Sequence, residues 1–163
     1  MISKILLTLF VCIFFQHAKS QKAEIIASTD SIAAEINALP LKEEESLFIE
    51  FSTAAGIATS YSYKKEVVKV ARSLQLPYGI WQTNYYYQNG KLVLIEDIEE
   101  THLINENGEI DYSSKEQNYC GRFYFSHNAL IVSKEKGEKR NASETLFNEQ
   151  MELIQAKLYL VGY

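Results

Sequence analysis

Apolar and polar positions follow the pattern of two β-strands on either side of Asn89-Gly90, with one strand over 80–88 and the other over 91–98. A two-residue hairpin turn of type I′ needs positive φ at both central residues, and Asn followed by Gly adopts it at low steric cost. We therefore predict a long hairpin in which Gln88 opposes Lys91 and the pairing continues without interruption.

Uninterrupted pairing assigns every side chain of this hairpin to a face, because successive residues of a strand point to opposite sides. The predicted core face carries Trp81, Tyr85, Tyr87, Leu92, Leu94 and Ile98. The second, more mixed face carries Ile80, Gln82, Asn84, Tyr86, Val93, Ile95 and Asp97. Aromatic residues are common in strands, so a packed sheet core is the simplest interpretation. An aromatic platform for a sugar or a base is the alternative.

The remaining pattern predicts an α+β fold, with a helix at each end of a run of strands. Thr29-Asp30 is a helix N-cap signal and Pro40 a stop signal, which together predict a short N-terminal helix. Strand patterns recur between 47 and 132, with 42–45 as a linker and 113–118 as a loop. The C-terminal stripe consists of Phe147, Met151, Ile154, Leu158 and Val161. We expect a curved antiparallel meander of six to eight strands with this C-terminal helix packed on the sheet.

A second aromatic hairpin over 123–132 repeats the first, with Asn128 at the position of Gly90. Together with Tyr86-Tyr87-Gln88-Asn89-Gly90-Lys91-Leu92, it resembles small exported proteins of Gram-negative bacteria. Those proteins combine Tyr-Tyr-x-x-Asn-Gly-Lys-Leu hairpins with a C-terminal helix. The resemblance implies the fold and export. It implies no activity, and no catalytic residue is carried over.

Residues 1–20 have the form of a cleaved secretory signal: Lys4, an apolar run over 5–15, and Ala18-Lys19-Ser20 before the cleavage site. Bulky residues before Cys12 disfavour lipoprotein anchoring. We expect a single periplasmic or secreted domain over 21–163 without a transmembrane segment.

Cleavage leaves 14 basic and 21 acidic residues, so the net charge becomes −7. An acidic chain without a basic stripe is not expected to bind nucleic acid.

Candidate chemistry is sparse. Cys120 is the only cysteine beyond the signal, so no internal disulfide is expected, and its position in a strand predicts a buried, inert thiol. No metal-ligand spacing or cofactor motif involves His102 or His127. On a regular strand, Glu96 and Glu100 share a face with His102. This run is either a solvated sheet edge or an acid–base site.

Three functional hypotheses follow. The first is a non-enzymatic interaction module that binds a periplasmic or secreted protein through the apolar part of the second face. The second is a carrier of a small apolar ligand between the sheet and the C-terminal helix. The third is a hydrolase that uses His102 with Glu96 or Glu100. The predicted binding residues are Trp81, Tyr85, Tyr86, Tyr87, Val93 and Ile95; no catalytic residue, metal ligand or cofactor is assigned.

Overall fold

In the computed structural model, residues 2–50, 55–138, 155, 156 and 158 are described. Within these ranges the fold is mostly β. One open antiparallel sheet has seven strands in sequential order, which confirms the predicted meander. The elements are α1 (Ile2–Ala38), β1 (Lys42–Glu50), β2 (Ala55–Tyr63), β3 (Glu66–Leu76), β4 (Gly79–Gln88), β5 (Lys91–Ile104), β6 (Ile110–Ser126) and β7 (Ala129–Gly137).

Helix α1 is N-terminal, as predicted, and ends at Ala38, before Pro40. It begins before the predicted start at Thr29-Asp30, so these residues lie within the helix, where Thr29 is buried and Asp30 pairs with Arg122 at 3.5 Å. Among the α1 side chains that the structure describes, those at positions 26, 32, 33 and 36 belong to the core shared with the sheet, and they follow the predicted cleavage site. Signal cleavage, which stays a prediction, would therefore leave these contacts in place. Within the described part of the chain, no helix combines the length and the apolar character needed to cross a membrane.

Three hairpins share one geometry. The β2–β3, β4–β5 and β6–β7 turns are Lys64-Lys65, Asn89-Gly90 and His127-Asn128, and all six residues have positive φ between 51° and 71°. After each turn two residue pairs form in register, and the next pair is shifted by one residue. The hairpin repeat predicted for β4–β5 and β6–β7 is therefore confirmed, and β2–β3 is a third copy.

The shift in β4–β5 is a β-bulge at Val93, and it corrects the predicted faces. Tyr87 pairs with Leu92 as predicted, but Tyr86 pairs with Leu94 and Tyr85 with Ile95. One extra residue on a strand reverses the side to which all later residues point. The predicted placement of Leu94, Ile95, Asp97 and Ile98 is therefore wrong, and each lies on the opposite face.

Both faces of the sheet carry a core. On the helix-side face, Tyr86, Leu94 and Tyr124 pack against Ala33 and Ile36 of α1. The opposite face, called the far face below, carries Ala58, Val70, Tyr85, Tyr87, Leu92, Ile95, Phe123 and Phe125, and the helical residue Ala156 belongs to the same core. Tyr85, Leu94 and Ile95 are fully buried. The hairpin that the turn signal identified is thus the centre of both cores.

Two segments predicted to lack regular structure are strands. The charged 42–45 segment is the start of β1, and 113–118 lies within β6. Both were misjudged because backbone pairing with a neighbouring strand overrides the low strand propensity of their charged and polar residues. The predicted C-terminal helix lies outside the described residues except at Gln155, Ala156 and Leu158, which are helical.

Lys65 and Gly90 occupy equivalent turn positions. The shared turn geometry therefore predicts opposite changes in the free energy of unfolding when lysine is replaced by glycine at one position and glycine by lysine at the other. Lys65 has φ 71° and Gly90 has φ 68°. A non-glycine residue in this region costs about 1–2 kcal/mol, partly offset by the greater freedom of glycine in the unfolded chain. We expect Lys65→Gly to raise the free energy of unfolding, and Gly90→Lys to lower it, by about 0.5–1 kcal/mol each in urea denaturation.

Lys91→Gly is the matched control, because Lys91 begins a strand and is not among the residues with positive φ. It should lower stability. A lower stability of Lys65→Gly would contradict the turn assignment.

Candidate functional site

The far face carries a buried polar network between its aromatic residues. Trp81 Nε1 donates a hydrogen bond to Asp97 Oδ1, and Thr83 Oγ1 donates to the same oxygen at 3.3 Å. Arg72 Nη2 donates to Thr83 Oγ1 at 2.9 Å. The Arg72 guanidinium also lies 5.0 Å from the ring centroid of Trp81 and 5.8 Å from that of Tyr85. Thr83 on β4 thus links the Arg72 cation on β3 to the Asp97 carboxylate on β5, and both charged residues are buried.

A second group of polar contacts continues this network toward β7. Asn118 is the extra residue of a bulge in β6, because Glu99 pairs with Tyr119 and Glu100 with Gln117. Its amide nitrogen donates to Glu99 Oε1 at 3.0 Å and to the carbonyl of Glu138 at 3.1 Å. Its amide oxygen accepts from Thr101 at 3.0 Å. Asn118 therefore ties β5, β6 and the end of β7 together.

Gly121 makes room for the Tyr119 phenol. A Cβ atom at position 121 would lie 2.4 Å from the Tyr119 hydroxyl and 2.7 Å from the Phe123 ring. The hydroxyl instead reaches Glu135 and donates to its carboxylate at 2.9 Å. Burial, reinforced by this carboxylate, raises the pKa of Tyr119 well above its ordinary value. The phenol therefore stays protonated as a hydrogen-bond donor at neutral pH.

At the β5–β6 end the strand pairing is irregular. His102 pairs with Lys115 and Leu103 with Asp111, so three additional residues of β6 lie between them. One of these, Tyr112, places its ring edge-on to the His102 imidazole with centroids 5.1 Å apart. A cleft of about 530 Å³ opens beside His102. It is lined by Thr101, His102, Leu103, Ile104, Glu116, Asn118 and Glu138 and is called the His102 cleft below.

The predicted binding residues all belong to the sheet core or its margin. Tyr86 and Val93 pack against α1, whereas Tyr85, Tyr87 and Ile95 lie on the far face. Trp81 is half-buried beside Arg72 and Asp97. Helix α1 already covers Tyr86 and Val93, two of the three apolar residues that were expected to meet a partner, and the third, Ile95, lies on the far face. A direct ligand-binding role for these six residues stays a prediction.

The structure does not join the three residues of the hydrolase hypothesis by hydrogen bonds. Glu96 accepts from Asn84 and Tyr86 and pairs with Arg122, each at 3.5 Å. Glu100 pairs with Lys115 at 3.5 Å. His102 is 7% exposed, and among the described residues neither ring nitrogen has a hydrogen-bond partner.

The histidines and the cysteine also lie apart. His127 is in the β6–β7 turn, at the opposite end of the sheet from His102. In the described ranges, no group of three or more His, Cys, Asp and Glu residues is placed to hold a metal ion. Cys120 is a half-buried free thiol whose pKa is raised by burial and then by Glu96. Its thiolate is therefore disfavoured at neutral pH.

Polar contacts also fasten α1 to the sheet. Asn37 Nδ2 donates to the Tyr86 hydroxyl at 3.2 Å, and Lys69 Nζ donates to Asn37 Oδ1 at 2.9 Å. Burial raises the pKa of Tyr86 and lowers that of Lys69. Burial, with a hydrogen bond to Asp30, raises the pKa of Tyr124 to about 12.

Sequence reasoning missed Arg72, Asn118 and Tyr112. Arg72 faces Thr83 only through the β3–β4 register, and no local pattern reports that pairing. Asn118 and Tyr112 lie at or near register shifts in the β5–β6 pairing, and the polar sequence of this part of β6 gives no signal of those shifts. An arginine within an apolar strand and a lone tyrosine in a polar segment were the available signals.

Comparisons with protein-family models, with curated proteins and with solved structures give no significant match for this chain. The resemblance to small exported proteins therefore stays a prediction, and functional inference rests on the chain itself.

Removing the Asp97 carboxylate should destabilise the fold and change the environment of Trp81, which is the only tryptophan. Asp97→Ala leaves the buried donors of Trp81 and Thr83 without this acceptor, and we expect a loss of about 1–3 kcal/mol in unfolding free energy. Tryptophan emission and urea denaturation measure both effects. Glu106→Ala, at an exposed position, should change stability by less than about 0.5 kcal/mol. Equal effects of the two variants would contradict the network.

The tyrosine pKa values predict a loss of stability in alkaline solution. An unfolded tyrosine ionises near pH 10, whereas folded Tyr124 ionises near pH 12. Between these values the unfolded state binds fewer protons, so stability is complete below pH 10 and falls as the pH rises toward 12. Urea denaturation from pH 8 to 11.5 measures this fall. Tyr124→Phe should make this fall smaller and leave the part that comes from Tyr86 and Tyr119, whereas the exposed Tyr112→Phe should not change it.

Proposed function

We propose that this chain is an exported binding module without catalytic activity, and that it binds at the β5–β6 end of the sheet. The observation that carries the proposal is an exposed apolar patch formed by Leu103, Ile104, Ile110 and Tyr112, which are 39%, 63%, 42% and 68% exposed. These are four of the six exposed large hydrophobic side chains in the described part of the chain. We call them the tip patch.

The tip patch arises from the local pairing. Ile104 pairs directly with Ile110, and Leu103 pairs with Asp111 beside Tyr112. Grouped exposed apolar side chains are more typical of an interaction site than scattered ones. The patch also adjoins the His102 cleft, which shares Leu103 and Ile104 with it. Together they offer an apolar rim beside a polar recess.

The carrier and hydrolase alternatives have less support. Tyr87 donates to the carbonyl of Ala156 at 2.9 Å, and Ala156 is buried in the far-face core. We infer that the C-terminal helix packs there, in part of the space that an apolar ligand would need. Glu96 and Glu100 are engaged with other side chains, so acid–base work with His102 would require both to rearrange.

Native mass spectrometry of the protein purified from its source cells tests the proposal. The wild-type protein should carry either a small adduct or a second protein in fixed ratio, and Ile104→Asp should lose it. Ile57→Asp is the matched control, because Ile57 is 48% exposed on β2 and lies outside the tip patch. Circular dichroism verifies that both variants fold.

A wild-type protein that carries nothing would contradict the proposal, as would equal retention by the two variants. The same spectra test export, because a mature chain should begin at Gln21. A chain that retains residues 1–20 would contradict signal cleavage.

A further inference from the structure

His102 is the only residue in the described part of the chain with two buried side-chain polar atoms that lack a hydrogen-bond partner. The residue is 7% exposed. Its backbone nitrogen donates to the carbonyl of Tyr78 at 2.9 Å, and Tyr112 contacts one edge of its ring. Buried polar groups are nearly always hydrogen-bonded. Both ring nitrogens are shielded from solvent, so an external group can bond to one of them only after the exposed Tyr112 ring moves aside.

The His102 cleft is the space from which such a group would come, because His102 lines it. Its volume of about 530 Å³ lies within the range of small-molecule sites, roughly 300–1,000 Å³. Apolar side chains at one rim and polar groups in the recess are also typical of such sites. The dimensions favour a small molecule over an extended polypeptide.

The charges of the lining indicate the sign of the ligand. Glu116 and Glu138 line the cleft, and the lining contains no lysine or arginine among the described residues. The adjacent Lys115 is paired with Glu100 at 3.5 Å. Thr101 and both amide atoms of Asn118 make hydrogen bonds within the protein. The lining therefore offers carboxylate acceptors, and the imidazole once the Tyr112 ring has moved aside, to a donor that carries positive charge.

We propose that the His102 cleft binds a small organic cation, with an ammonium group directed to Glu116, Glu138 and an imidazole nitrogen of His102, and an apolar part against the tip patch. An ammonium group has only donors, which matches an acceptor-rich recess. An anion would face two carboxylates and is disfavoured. This inference rests on the proposed binding function and adds the class of ligand.

Titrations monitored by NMR test the proposal with three probes of similar size: 2-phenylethylamine, 2-phenylethanol and phenylacetate. The amine should shift the resonances of His102 and Tyr112 and should bind about tenfold more tightly than phenylacetate, because charge-assisted hydrogen bonds are the stronger ones. The alcohol should fall between them. Equal binding of amine and acid, or shifts that lie elsewhere on the protein, would overturn the proposal.

Variants identify the groups that bind. Glu116→Gln with Glu138→Gln should weaken amine binding by about tenfold, and Glu106→Gln, which changes an acid outside the cleft, should leave it within about twofold. His102→Phe should weaken amine binding without lowering the thermal midpoint, because it removes a buried polar group that lacks a partner. A normal affinity in either cleft variant would overturn the assignment of that group.

Failure of this inference is distinguishable from failure of the proposed function. If none of the probes binds while Ile104→Asp still removes a co-purifying molecule, the cationic class is wrong and the binding module stands. If the amine binds as expected while the wild-type protein carries nothing from its source cells, the cleft is a cation site and the broader proposal loses its support.

Discussion

The position of the bulge after each hairpin turn decides which side chains this protein can bury. Two pairs form in register after each turn, and then one extra residue appears, at Val68, Val93 and Ile131. The bulges lie on alternate strands of a sequential meander, so they form a row across the sheet. Each bulge reverses the side to which the following residues point. In all three hairpins this reversal occurs at the same distance from the turn, after the second residue pair.

This row gives the sheet two cores instead of one. Consecutive aromatic residues on the even strands, such as Tyr85, Tyr86 and Tyr87, are all buried even though alternation directs them to both faces. The helix-side core needs α1, and the Asn37–Tyr86 and Asp30–Arg122 contacts fix where the helix lies. The far face holds the larger aromatic cluster together with the Arg72–Thr83–Asp97 network. A sheet with apolar residues on both faces therefore implies a covering element on each.

The sequence predicts the meander because its signals are local. Asn89-Gly90 identifies a turn by its own backbone chemistry, and Gln88 and Lys91 pair as that turn requires. The bulge at Val93 has no such signal, since valine suits a regular strand as well as a bulged one. One missed residue therefore misplaced Leu94 through Ile98. The same limit applied at β6, where polar residues from Ser113 to Asn118 concealed a paired strand. His102 was visible as a residue, but its burial depends on Tyr78 and Tyr112, which reach it only through tertiary pairing.

The two ends of the sheet are irregular in different ways. The irregularities at one end serve the stability of the fold, whereas those at the other end coincide with the proposed binding site. At the end with the repeated turns, the irregularity that follows each turn is a single residue that recurs in three hairpins and serves the cores. At the β5–β6 end, three extra residues beside His102 occur in one hairpin only, and they accompany exposed rather than buried apolar side chains. An irregularity that leaves Ile104 and Tyr112 in solvent and an imidazole without a partner does not stabilise the free protein. Such a feature is explained if its stabilising contacts come from a bound molecule, and this is the reason for proposing that binding occurs at this end of the sheet.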